Sequence, residues 1–218
     1  MELIIGNKNY SSWSLRGWLM LEAFNLKFKE TKLLLFTEDF YSSLSAHEAA
    51  DKVPVLIDRD VTVWDSLAIC EYVSERHLNG KGWPENYADR AMARSISNEM
   101  HSGFFGVRNE MPMNCRAKRR VELSEQAKKD ITRIDQLWSS LRKTHAEKGP
   151  WLFGEFSIAD VMYAPVALRF RTYGIEVSAE SQAYCDALYK HPAIELWIKD
   201  ALLETEIVDE DEAGEEVN

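Results

Sequence analysis

Hydrophobic positions follow two different periods along this chain, and the change falls near residue 80. Leu3-Ile4-Ile5 is a short apolar run closed by Gly6-Asn7, the pattern of a buried strand ending in a turn. From Ser12 onward Leu15, Trp18, Leu19 and Ala23 recur at i, i+3, i+4 and i+8, which predicts a helix stopped at Asn25. Leu26 to Leu35 alternates, with Leu26 and Phe28 set against Lys27 and Lys29, and reads as a second strand. Phe40 to Ala50 is a Ser-rich helical stretch. Val55-Leu56-Ile57 and Val61-Thr62-Val63 flank Asp58-Arg59-Asp60 as a hairpin. Asp65 then opens a helix with Ile69, Tyr72, Val73 and Arg76 on one face. The order βαβαββα places a parallel unit and a hairpin in one sheet with helices on its faces.

Asn79-Gly80-Lys81-Gly82-Trp83-Pro84 is polar, Gly-containing and closed by Pro, as a linker is. Beyond it every pattern is helical: Ile131, Ile134, Trp138 and Leu141, and later Ile194, Trp197, Ile198 and Leu202, each lie on one helix face. Lys148-Gly149-Pro150 interrupts the run, and no internal repeat is present. The expected organisation is an α/β domain over 1–80, a linker over 81–87, an all-helical domain over 88–203 and a tail over 204–218.

Composition changes this picture in one place. The chain of 218 residues is 45% hydrophobic and 28% charged, an ordinary globular balance for two domains. Its net charge of −10 is concentrated at the end: Glu204 to Asn218 carries eight acidic residues and no Lys or Arg. Taking those eight from −10 leaves the other 203 residues at −2. The tail is therefore expected to stay unfolded. Arg116-Ala117-Lys118-Arg119-Arg120 is the one basic cluster and reads as solvated surface, which argues against nucleic acid as a partner. No run approaches the roughly 20 apolar residues of a membrane span. Met1-Glu2 leads straight into an apolar strand without a basic segment or cleavage site, so no signal peptide is expected. Cys70, Cys115 and Cys185 have no CxxC spacing and fit small buried groups in a reducing cytoplasm.

Three segments carry candidate chemistry: Val53-Pro54, Asp65-Ser66 and Asn7 to Leu21. Val53-Pro54 leads into a hairpin strand; a proline there is an ordinary edge-strand feature. Asp65-Ser66 opens a helix, where Asp is an ordinary cap. Taken together, Lys52 to Asp58 (KVPVLID) and Asp65-Ser66 resemble the glutathione-holding segment of the cytosolic glutathione transferases. The resemblance covers nearly the whole chain except the acidic tail. It implies a thioredoxin-like N-terminal domain with a cis-proline at Pro54 and an all-helical C-terminal domain. It also implies that Val53 pairs with the cysteinyl backbone of glutathione as an added strand would. The free N–H groups at Ser66 would take the γ-glutamyl carboxylate. Asp65 would hold the ammonium, and Lys52 would meet the glycyl carboxylate.

SSWSLR (Ser11 to Arg16) is similar to the serine-type members, notably the zeta and tau classes. The functional serine of those classes lies five residues before an arginine, at Ser11 here. Tyr10 and Ser12 stay open as alternatives for the group that activates the thiol, and either serine also suits the helix cap. A free thiol has a pKa of about 8.5, and bringing it to about 7 requires roughly 2 kcal/mol. One hydroxyl donating to an anion contributes about that much, and a helix N-terminus adds to it. Trp13 stands where the zeta motif has cysteine. FSIADVMYAPVALR (Phe156 to Arg169) resembles the helix-start motif of the family's helical domain. Ser157 and Asp160 at capping-box spacing are read there as structural.

Five histidines show no ligand spacing, so no metal is expected. No GxSxG turn or Gly-rich phosphate loop is present. Trp13, Phe104, Phe105 and Met111, with Met113, are candidates for an electrophile pocket, and core packing is the competing reading for them. The resemblance implies a homodimeric cytoplasmic enzyme of detoxification type, which conjugates glutathione to a small hydrophobic electrophile. The alternatives are a glutathione-dependent cis-trans isomerase of the maleylacetoacetate type and a non-catalytic binding or assembly module on the same fold.

Overall fold

The computed structural model describes residues 1–47 and 51–217. Strand β1 (Glu2–Ile5) leads into helix α1 (Ser12–Ala23), followed by β2 (Lys29–Lys32) and α2 (Glu38–Ser45). The hairpin strands β3 (Val55–Asp58) and β4 (Val61–Trp64) come next, then α3 (Ser66–Leu78). The sheet order is β2-β1-β3-β4, with β2 parallel to β1 and the other neighbours antiparallel. This is the thioredoxin-like arrangement. The second strand is shorter than the alternation suggests. Leu26 and Phe28 pack partly buried against the core before the strand begins, and β2 itself is mostly solvent-facing. Three residues of the Ser-rich stretch, 48–50, lie outside the described residues.

The rest of the chain is almost entirely helical: α4 (Tyr87–Ser102), α5 (Phe105–Glu110), α6 (Glu125–His145), α7 (Ile158–Tyr173), α8 (Ala179–Tyr189) and α9 (Pro192–Ala201). Helix α7 is the axis of this domain, because nearly all of its residues are buried. Its start is fixed by a reciprocal cap: the Asp160 carboxylate accepts from the Ser157 N–H at 2.9 Å and from the Leu152 N–H at 3.0 Å. The helix continues through Pro165 to Tyr173. The two domains share one hydrophobic core, in which Leu15, Leu19 and Ile69 join Val161, Tyr163 and Trp197. Polar ties cross the same boundary: Arg16 Nε donates to the Met162 carbonyl at 3.1 Å, and the Ile158 N–H donates to the Gly82 carbonyl at 2.8 Å.

The acidic segment differs from its expectation. Residues 204–217 fold back on the body, with a helical turn at Asp209–Asp211 and a short strand β6 (Glu215–Glu216) antiparallel to β5 (Arg119–Arg120). The basic cluster read as free surface is the partner of this segment. Arg116 donates to the Glu204 and Glu206 carbonyls, and Arg119 pairs with the Glu212 carboxylate. Like charges that would keep a tail unfolded in isolation are here divided among cations and backbone donors, which removes the repulsion.

Candidate functional site at one end of the sheet

The register of the sheet brings the sequence motifs to one place. Ile4 pairs with Val55, and Val55 pairs with Trp64, so these three residues form one row across β1, β3 and β4. Immediately beyond that row lie the Gly6–Ser11 turn, Val53-Pro54 and Asp65-Ser66. The three segments, drawn from residues 6–11, 53–54 and 65–66, therefore meet at one end of the sheet. The N-termini of α1 and α3 open there together, each presenting the positive end of its dipole.

Val53-Pro54 is a cis peptide. Pro54 is buried against α1, close enough that a Cβ on Gly17 would lie 3.0 Å from the proline ring, so glycine permits this approach. Val53 is half-buried, and among the described residues its N–H and C=O take no backbone partner. Lys52 is exposed beside it.

Asp65 is held at φ 74°, a region non-glycine residues rarely occupy. Its Oδ1 caps α3, accepting from the Leu67 and Ala68 N–H groups at 2.9 and 3.0 Å. Its Oδ2 lies 3.0 Å from His101 Nε2 on α4. Burial opposes the charge of this carboxyl, but the His101 bond and the two N–H donors outweigh it and hold the pKa below the ordinary value. Next to it the Ser66 hydroxyl is buried with no hydrogen-bond partner. A buried unpaired hydroxyl at a helix N-terminus costs free energy unless a ligand completes it.

On the α1 side, Ser11 is the N-cap. Its Oγ accepts from the Ser14 N–H at 3.3 Å and donates to Ser14 Oγ at 2.7 Å, and Ser14 Oγ also accepts from the Gly6 N–H. Ser12 Oγ accepts from Arg169 of α7 at 3.0 Å. Tyr10 points elsewhere: its ring is buried and its hydroxyl donates to Glu212 at 2.5 Å. Trp13 stands at the mouth, edge-on to His101, with the Arg16 and Arg108 guanidiniums 4.5 and 4.9 Å from its ring.

The aromatic and Met candidates divide. Phe104, Met111 and Met113 are buried in the core cluster, so these side chains pack the helical domain rather than line an open pocket. Phe105 is exposed at the start of α5 under Arg108, on the same side as Trp13. His101, Arg108, Arg169 and Glu212 escape any reading of the sequence alone. Each sits on a helix or tail with no local motif, and only packing between the domains brings it to the site.

Among the described residues, no three His, Cys, Asp or Glu side chains are grouped to hold a metal ion. No helix among them is long and apolar enough to cross a membrane.

Comparison with known proteins gives this geometry its family. Residues 10–76 match the N-terminal domain model of glutathione S-transferases, and residues 120–200 match the C-terminal domain model. A probable maleylacetoacetate isomerase from Caenorhabditis elegans is 28% identical over 169 residues, 77% of each chain. A solved glutathione transferase homolog from Burkholderia, with bound glutathione, superposes with a TM-score of 0.68 at 21% identity, over 92% of this chain and 96% of the other. A bacterial zeta-class maleyl pyruvate isomerase superposes with a TM-score of 0.72 at 16% identity, over 94% of this chain and all of the other. At those identities the structural likeness speaks for the fold, while the two domain models together span most of the chain. The chain belongs to the glutathione S-transferase family.

Proposed function

We propose that this chain binds glutathione at the sheet end described above and activates its thiol for attack on a small hydrophobic electrophile. The observation that carries the reading is the unpartnered Ser66 hydroxyl, buried at the N-terminus of α3 beside the strained Asp65. In this reading the γ-glutamyl carboxylate completes the Ser66 hydroxyl and the Ser66 N–H at the positive end of the α3 dipole. The Val53 main chain pairs with the cysteinyl residue, and the exposed Lys52 meets the glycyl carboxylate. Asp65 shares its Oδ2 between His101 and the ammonium. The thiol lies at the N-terminus of α1, where the helix dipole favours the thiolate and the Ser11 hydroxyl, which donates to Ser14 Oγ at 2.7 Å in this structure, turns its proton to the sulfur instead. Trp13 and Phe105 flank the entry of the electrophile. Tyr10 is disfavoured because its proton is already given to a carboxylate.

A second reading rests on the nematode isomerase relative: the same thiolate adds to a conjugated double bond, permits rotation and leaves again. It is supported by the 28% identity across most of both chains. A cytoplasmic homodimer belongs to the proposal, supported by the three free cysteines and by exposed Trp64, Tyr87 and Met92.

The test is titration calorimetry with glutathione, together with the ultraviolet thiolate band of the bound thiol in wild type and Ser11→Ala. Binding with a thiol pKa near 7, raised in Ser11→Ala, supports the reading. Absence of binding sinks it and favours a non-catalytic module. Conjugation and isomerisation are then separated with a panel of aryl halides and cis-configured α,β-unsaturated acids.

A further inference from the structure

We propose that Arg169 is a positioning residue that makes the Ser12 hydroxyl a second hydrogen-bond donor to the glutathione thiolate, a role that rests on the glutathione reading above. Arg169 lies on α7 in the helical domain and is 6% exposed. Its Nη1 donates to the Met111 carbonyl and to the Arg108 carbonyl at 3.1 Å. Those two bonds fix the plane of the guanidinium. Nη2 is thereby aimed at Ser12 Oγ, 3.0 Å away, across 157 residues of chain.

A guanidinium only donates. The Ser12 oxygen must therefore accept, and its own proton is left to point away from Arg169. Among the described residues no acceptor takes that proton. Ser11 is in the opposite condition, since its hydroxyl is tied to Ser14, which is itself tied to Gly6. Of the two serines at the mouth of α1, Ser12 thus has the free donor. A hydroxyl that accepts from a cation is polarised and donates more strongly to an anion.

The charges around Arg169 are mixed. Arg108 from α5 is positive, and Asp211 from the C-terminal segment opposes it with Tyr173 nearby on α7. Burial lowers the Arg169 pKa to about 10, which leaves the group charged at neutral pH. A lysine could supply the charge, but not three fixed bonds in one plane.

The bland alternative is a clamp between domains that has no part in thiol chemistry. The experiment measures three quantities for glutathione-loaded protein: the thiol pKa from the ultraviolet thiolate band, the glutathione Kd and the thermal midpoint. The variants are Ser12→Ala, Ser12→Thr, Arg169→Lys and Arg169→Met. In Ser12→Ala the bound thiol pKa is expected to rise by about 1, with Kd within about twofold, and Ser12→Thr restores it. Arg169→Met raises it similarly, and the double variant Ser12→Ala/Arg169→Met adds nothing further, as coupled groups behave. Arg169→Lys gives an intermediate value and serves where the Met variant does not fold. A lowered thermal midpoint with the thiol pKa unmoved in Ser12→Ala and Arg169→Lys overturns the proposal and leaves the clamp. Failure of the wild type to bind glutathione overturns the underlying reading as well, and the two failures are distinct.

Discussion

Tyr10 and Glu212, separated by 202 residues, are joined by a 2.5 Å hydrogen bond in which the phenol donates to the carboxylate. Arg116 donates to the same phenol oxygen at 2.8 Å, so the hydroxyl is bracketed by an anion and a cation. Burial, followed by the bond to Glu212, raises the tyrosine pKa. A group that activates a thiol must donate a hydrogen bond to the thiolate, and this hydroxyl already donates to Glu212. Tyr10→Phe is therefore expected to leave the thiol pKa of bound glutathione unchanged while costing about 1–2 kcal/mol of stability. Faster amide exchange over residues 209–217, measured by mass spectrometry, would accompany that loss.

Glu204 is the deepest anchor of the acidic segment. Its carboxylate accepts from the Lys8 and Asn9 N–H groups at 2.8 and 2.9 Å and from Lys32 Nζ at 2.9 Å. Removing it strands two buried backbone donors next to the turn that carries Ser11. Glu204→Ala should cost roughly 2–3 kcal/mol, a drop of several degrees in thermal midpoint. Glu210→Ala, on the exposed side of the same segment, should change little. Equal effects from the two would show that the segment acts only through its net charge.

Asp211 gives the segment a pH dependence. Burial pushes its carboxyl up to about 6, with Glu210 and Glu212 acting in the same direction and Arg169 opposing. Between the unfolded value of 3.8 and about 6 the folded protein holds a proton that the unfolded chain has released. Its contribution to stability is thus full below about pH 4 and is lost as the pH rises through 6. Asp211→Asn should raise stability at pH 7.5 by on the order of 1 kcal/mol, after discounting for its partial exposure, and by little at pH 4.5. Urea titrations of both proteins at the two pH values check the sign.

Asp65 combines a cap, an ion pair and an unusual backbone angle. Asp65→Ala should cost about 1–2 kcal/mol through the lost cap and at least tenfold in glutathione affinity. Asp65→Asn keeps the cap, so its stability should stay near wild type while affinity still falls. If affinity survives in both variants, the carboxylate is a structural cap alone.

The three thiols are expected to be inert in the folded protein. Burial pushes Cys115 and Cys185 up to about 12 and Cys70 higher still. Alkylation with iodoacetamide at pH 8 should label none of them within an hour, and all three in 6 M guanidinium. Rapid labelling of one thiol in the native protein would show that it is more open than its burial implies.

How much of this was legible before folding varies by element. Leu15, Trp18 and Leu19 announce α1, and the Val55–Ile57 and Val61–Val63 runs announce the hairpin, because burial on one face imposes a period that survives in the sequence. Val53-Pro54 and Asp65-Ser66 were visible for a similar reason: the chemistry of a strand start and a helix N-terminus is local. Phe104 and Met111 leave pocket and core both open in the sequence, since an apolar side chain reads the same in either place, and the structure puts them in the core. The acidic segment was misread for the opposite reason. Charge density predicts disorder only when no partner is known, and its partners Lys8, Asn9, Arg116 and Arg119 lie 88 to 196 residues away.

The sequence by itself determined the two-domain order, the strand and helix faces, and the local motifs that resemble a glutathione site. Tertiary structure alone decided which of three neighbouring hydroxyls are free. Tyr10 donates to Glu212 and Ser11 to Ser14, while Ser12 accepts from Arg169 and keeps its proton free. Those assignments depend on side chains contributed from distant elements. A hydrogen bond is set by distance and direction in space, and no local pattern in the chain records it.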